Sequence, residues 1–285
     1  MSGPTASIPP QPAADRSLPS PDASGLRPAH RHPVTPAMLW EVVTHLARRE
    51  LESTHQLTLL GWAWPLIRQL AQLAVLVFVF STVFDQDIEN FPVFVFIGLI
   101  VWTWFSSGLS GAASSLASQR HLVLQSRVPS AAIPIVSVVV PLIDVLIALP
   151  VLLAMLALSD ELRWTLLLCP LLIPVQALLM AGIAWFTSAA AVYFRDVPNA
   201  VALVLTLLFY MTPVFYGLRS LPDEYARLME LNPVAILIGT YRALLLGEPA
   251  PGAWLIVLLA VGSVVVAGAG YLFFRRLEPR FTDFQ

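Results

Sequence analysis

Apolar residues along this chain come in long blocks separated by short polar interruptions, at about 66–84, 92–117, 131–158, 165–194, 200–216 and 253–274. Helices of these lengths, rising 1.5 Å per residue, cross a hydrocarbon core of roughly 30 Å, the fifth being near the lower limit. Upstream, from Met38 to about Leu59, Leu39, Val42, Val43 and Leu46 recur at helical spacing while Glu41, His45, Arg48, Arg49 and Glu52 fall elsewhere. That pattern predicts an amphipathic helix lying along the membrane surface. Between the fifth and sixth blocks, Leu231 to Gly247 is apolar but too short and interrupted to cross as a straight helix. Asn232 reads as its N-cap, Pro233 as its first helical residue and Gly247 as its stop, which predicts a re-entrant or interfacial hairpin. Non-helical backbone at membrane depth persists only when covered by protein or bordering water, so such a hairpin implies a lumen or a subunit contact. The fold class is thus an all-α membrane protein: a tail over 1–36, an interfacial helix over 37–60, and a six-span domain over 61–285.

Composition agrees. A chain that is 57% hydrophobic and 12% charged, with mean hydropathy +0.76, exposes too much apolar surface for one soluble core. Residues 1–36 hold nine of the 24 prolines with no apolar h-region, as a disordered tail does and a signal peptide does not. His30 and His32 on that tail close no coordination shell, so no metal site is expected. Charge near zero gives no support for nucleic acid. All sixteen positive charges are arginines, and without a lysine the chain carries no P-loop of the G-x-x-x-x-G-K-[ST] kind. The single cysteine, Cys169, sits in an apolar run and reads as a small packed hydrophobe.

The arginines also orient the chain. With a cytoplasmic N-terminus, twelve lie inside, and only Arg163, Arg219, Arg227 and Arg242 lie outside, so both termini are expected in the cytoplasm. The acidic loop Asp85-Gln86-Asp87-Ile88-Glu89 fits the outer side. The halves show no convincing inverted repeat, which counts against the secondary-transporter folds built on one.

Four sequence stretches carry a resemblance: Leu60-Gly61-Trp62-Ala63-Trp64 before the first span, Tyr193 to Tyr216 with Arg195-Asp196 and Thr212-Pro213, Leu231 to Gly247, and Phe274-Arg275-Arg276-Leu277-Glu278-Pro279-Arg280-Phe281. Together, from about residue 40 to the end, they resemble the permease subunits of type 2 ABC exporters, in the branch that exports lipid-linked polysaccharides such as O-antigen, teichoic acid or galactan. The chain departs from that pattern just after Trp64, where Pro65 follows at once. The resemblance implies a homodimer in the bacterial plasma (inner) membrane, joined to two separate ATP-binding subunits that hold ATP and Mg, with no cofactor on this chain. It implies a cargo of glycan on a polyprenyl diphosphate. Within the ABC class the alternative cargo is a drug or small lipid. A channel or secondary transporter would be expected to carry several intramembrane charges or a filter-like motif. A membrane-embedded transferase would be expected to carry paired acids or a histidine constellation.

Candidate residues follow from both readings. Between spans two and three, Ser118 to Ser130 sets apolar Leu122, Val123 and Leu124 beside Arg120, His121 and Arg127. An exposed apolar tip asks for a covering partner, and in the family this position is the coupling helix that enters the ATPase; a loop folded on headgroups is the alternative. Arg48 and Arg49, with Trp62 and Trp64, are candidates for a cytoplasmic gate or substrate head-group contact, or for plain anchoring by snorkelling. Arg195 and Asp196 close a cytoplasmic turn, with Asp196 as N-terminal acid of the fifth helix and Pro198 in its first turn. The resemblance makes Asn232, Pro233, Tyr241 and Arg242 an outer gate, with interfacial anchoring as the alternative. Asp144, within the third span, should face a partner or a wet cavity. Trp102, Trp104 and Phe105 offer flat faces for sugars in a lumen, or belong to an interface belt. No residue is a catalytic candidate.

Overall fold

The computed structural model describes residues 36–55, 61–82, 88–119, 129–217, 222, 224, 229 and 231–281, and all regular structure among them is helical. The helices are α1 (Pro36–His55), α2 (Trp64–Thr82), α3 (Phe91–Ser118), α4 (Ala132–Val139), α5 (Leu142–Leu158), α6 (Leu172–Tyr193), α7 (Val197–Met211), α8 (Pro233–Leu246) and α9 (Ala253–Leu277). Short 3-10 turns precede α2 and α6, and one follows α9.

Five stretches among the described residues are long and apolar enough to cross a membrane: α2, α3, α4 with α5, the 3-10 turn Trp164–Leu171 with α6, and α9. The expected fifth span appears as α7, which at 15 residues is shorter than these. Its end has a local cause. Thr212 stands before Pro213, whose ring disfavours helical backbone in the preceding residue, and Thr212 is extended (φ −92°, ψ 136°). The expected third span is broken. Pro141 lies between α4 and α5 and has no amide hydrogen to give to the turn before it.

The helix α3 is the centre of the body, buried along most of its length and in contact with α2 and with α4 to α8. The most extensive pairing joins α6 to α9, and it depends on two glycines. A Cβ on Gly270 would run into the Gly182 backbone, and one on Gly182 into the carbonyl of Val266. Small residues at such a crossing let two backbones approach as larger ones do not. By contrast α7 buries only Leu205, and α2, among its described side chains, only Gln69 and Leu73. Their outward residues include Val75, Phe78, Leu203, Leu207 and Tyr210.

Candidate functional sites at the two ends of α3

At the N-terminal end of α3, the sequence-marked ends of α7 and α8 are tied together. Asn232 caps α8, its Oδ1 accepting from the Val234 amide at 2.9 Å, with Pro233 opening the helix. Gly247 closes it in the left-handed region (φ 71°), which costs glycine nothing. The same Asn232 side chain donates through Nδ2 to Thr212 Oγ1 at 2.9 Å, and Thr212 in turn donates to the Leu208 carbonyl at 2.6 Å. So the cap of one helix is bonded to the last turn of another.

Beside it lies Arg242, only 4% exposed. Its Nη1 donates to the Pro213 carbonyl (2.6 Å) and its Nη2 to that of Val214 (2.6 Å). Nε and Nη2 both reach the Phe94 carbonyl (3.2 and 3.0 Å). The guanidinium lies 3.3 Å from the Phe94 ring centroid. Pro213 and Val214 belong to the turn after α7, where carbonyls have no helical partner, and a planar fork with five donors suits several acceptors at once. Gly98 makes room: a Cβ there would come within 2.7 Å of the Val214 oxygen and 2.9 Å of Arg242 Nη2. Arg242 is therefore a clasp that holds the turn after α7 between α8 and α3, and it is not an arginine reaching out to headgroups.

Tyr241, next in sequence, is partly buried and borders an apolar cavity of about 290 Å³ together with Ile97, Trp104, Leu149, Leu166 and Ile173. The aromatic residues considered for a lumen are core residues in the single chain. Trp104 donates through Nε1 to the Val138 carbonyl (2.9 Å), and Trp102 packs on Phe105 and Phe209 at 5.8 and 5.5 Å. Gln176, fully buried, donates to the Val101 carbonyl at 3.0 Å and was not marked by the sequence. Asp144 falls in the first turn of α5 because of the break at Pro141, where the helix dipole favours an acid.

At the other end of α3 the chain enters 120–128, so Arg120, His121, Leu122, Val123, Leu124 and Arg127 lie outside the described residues. The flanks of that segment are well fixed. Leu116 on one side and Ala131 and Ile133 on the other share a cluster with Phe274 and Phe281. Ser130 is buried and its hydroxyl donates to Glu278 Oε1, while Trp185 Nε1 donates to the Ala131 carbonyl at 2.9 Å. The helix α1 seals the same region, with Val43 and Ala47 against Ala132 and Val136 of α4. Its Arg48 and Arg49 are exposed, Arg48 pairing with Glu52 at 3.1 Å one turn on, a solvent-screened contact of little weight. Trp64 is exposed at the start of α2, and the Trp62 side chain lies outside the described residues. Asp196 is the N-cap residue of α7, with Pro198 in the first turn, and both Arg195 and Asp196 are exposed.

A body of apolar helices, five of its stretches long enough to cross a bilayer, is that of a polytopic membrane protein. Residues 41–246 match the ABC-2 type transporter family, and the chain belongs to it. The chain is 32% identical over 241 residues to the O-antigen export system permease protein RfbA of Myxococcus xanthus, covering 84% of this chain and 93% of that protein. It is 24% identical over 248 residues to the protein of the same description from Klebsiella pneumoniae, covering 86% and 95%.

Proposed function

We propose that this permease moves a lipid-linked polysaccharide, a glycan on a polyprenyl diphosphate, outward across the bacterial inner membrane. The observation that carries the reading is the similarity along nearly the full length of relatives described as O-antigen export permeases. Two copies form the conduit, and each joins an ATP-binding subunit that supplies ATP hydrolysis. Both termini face the cytoplasm. The apolar faces of α2 and α7, left uncovered in one chain, meet their counterparts in the second copy. The membrane is crossed six times, with α7 as the short fifth crossing, α8 re-entrant on the outer side and α1 along the inner surface. The residues that flank 120–128, Leu116 before it and Ala131 and Ile133 after it, are packed, which supports this segment as the one that receives force from a partner. The Arg242 clasp makes the outer end a folded closure whose parts move together.

The test is the double variant Leu122→Asp/Leu124→Asp, co-expressed with the ATP-binding subunit. Each replacement removes an apolar contact of roughly 1.5–3 kcal/mol and adds a charge to be desolvated. The expected result is a permease that inserts and dimerises normally but no longer co-purifies with its partner or exports glycan. Retention of the full complex and full export would refute the coupling role of the segment.

A further inference from the structure

The root of the 120–128 segment is held by a carboxylate from the far end of the chain. Ser130, the last residue before α4 but one, is bonded through its hydroxyl to one oxygen of Glu278, and the other oxygen accepts from Arg275 Nη1 at 3.0 Å. The Glu278 side chain is only 10% exposed. Around this pair, Phe274 and Phe281 meet edge to face at 5.3 Å and close over Leu116 and Ala131. Apolar contacts of this kind hold two surfaces together yet leave them free to slip, whereas a hydrogen bond to a carboxylate is short and directional. The bond to Ser130 therefore fixes the returning limb of the segment in register with the end of α9. From there the Gly182–Gly270 crossing carries any displacement into α6.

We infer that Glu278 is a positioning residue for energy coupling: by holding Ser130 it makes a push on residues 120–128 move α9 and α6 instead of being lost before it reaches them. The inference rests on the coupling role proposed above for that segment. The sequence separation of 148 between the two partners makes it a tertiary tether, not a local turn contact.

The experiment uses the intact permease with its ATP-binding subunit in vesicles. A fluorescent polyprenyl-diphosphate oligosaccharide is the transport probe, and transport and ATP hydrolysis are read together. In Ser130→Ala and in Glu278→Leu, transport per ATP should fall at least about tenfold, the factor at the lower end for losing one hydrogen bond to a charged group. Co-purification and the ATP concentration for half-maximal hydrolysis should stay unchanged. Glu278→Gln keeps an acceptor for the Ser130 hydroxyl and should restore most of the ratio although it discharges the contact to Arg275. The double variant Ser130→Ala/Glu278→Leu should be no worse than either single one, as for two ends of one interaction. An unchanged ratio in the folded Ser130→Ala protein overturns the inference, and so does an additive double variant. If Leu122→Asp/Leu124→Asp is defective while Ser130→Ala is not, the segment still couples and only the tether is wrong. If Leu122→Asp/Leu124→Asp is fully active, the coupling reading itself falls and the inference with it.

Discussion

Replacing Arg242 by leucine keeps the bulk of the side chain near its place and deletes the fork that serves the turn after α7. Two carbonyls, Pro213 and Val214, then lose their partners in a buried setting, at about 1–3 kcal/mol each. The Phe94 carbonyl suffers less, because it lies in the first turn of α3 and keeps its place in the helix ladder. Loss of the guanidinium from the Phe94 ring removes about 2 kcal/mol more for a desolvated contact. Against this, the leucine variant no longer desolvates a cation, a relief of several kcal/mol. The balance is a net loss of about 3 kcal/mol, which for a body of this size lowers the midpoint of thermal unfolding by about 10 °C. The assay is the temperature at which half of the purified permease stays monodisperse in detergent. Arg242→Lys separates charge from geometry: an ammonium is a point donor that neither forks nor stacks, so it should recover less than half of the loss. A leucine variant as heat-resistant as the parent would refute the clasp. Full recovery with lysine would show that a point charge holds the turn without the fork.

Two further outcomes are expected from the same assay. Gly270→Ala should destabilise the chain by about 1–3 kcal/mol through overpacking against Gly182, whereas Gly262→Ala, whose Cβ would meet nothing within 4 Å, should be neutral or gain up to about 1 kcal/mol of helix propensity. Asn232→Ala should cost about 1–2 kcal/mol by removing the α8 cap. Because Asn232 is bonded to Thr212, Asn232→Ala combined with Thr212→Val should cost less than the two single losses taken together.

What could be read from the sequence is what is local. Asn232, Pro233 and Gly247 bound α8 as expected because capping uses neighbouring residues only, and α7 starts where Asp196 and Pro198 place it, although the Asp196 side chain makes no capping hydrogen bond. Apolar blocks mark helices because hydropathy sums over one segment. The break at Pro141 was not anticipated, since a proline inside an apolar run is compatible with a kinked helix as well as a broken one; Pro150 stays inside α5. For Arg242 the sequence offers an outer-gate role or interfacial anchoring and not a buried clasp, because a lone charge in a short apolar helix has no visible partner in sequence, and its acceptors at Phe94 and Pro213 are 148 and 29 residues away. Trp102, Trp104 and Phe105 illustrate the same limit: an aromatic group looks alike at an interface, in a lumen or in a core, and only the neighbours brought by α4, α6 and α7 decide. Ser130 and Glu278 carried no joint signal, although Glu278 stood within the C-terminal stretch of the resemblance.

Helix α3 has a mechanical consequence. It runs for 28 residues without a break, a rod of about 42 Å. One end carries Phe94 and Gly98 beneath the Arg242 clasp, and the other carries Leu116 into the segment that begins at residue 120. The span formed by α4 and α5 is interrupted at Pro141, whereas α3 has no such joint. A stiff shaft enclosed on nearly all sides cannot tilt at one end and stay still at the other. Whatever displaces Leu116 is therefore felt beneath the Arg242 clasp as well, because one uninterrupted helix joins the two.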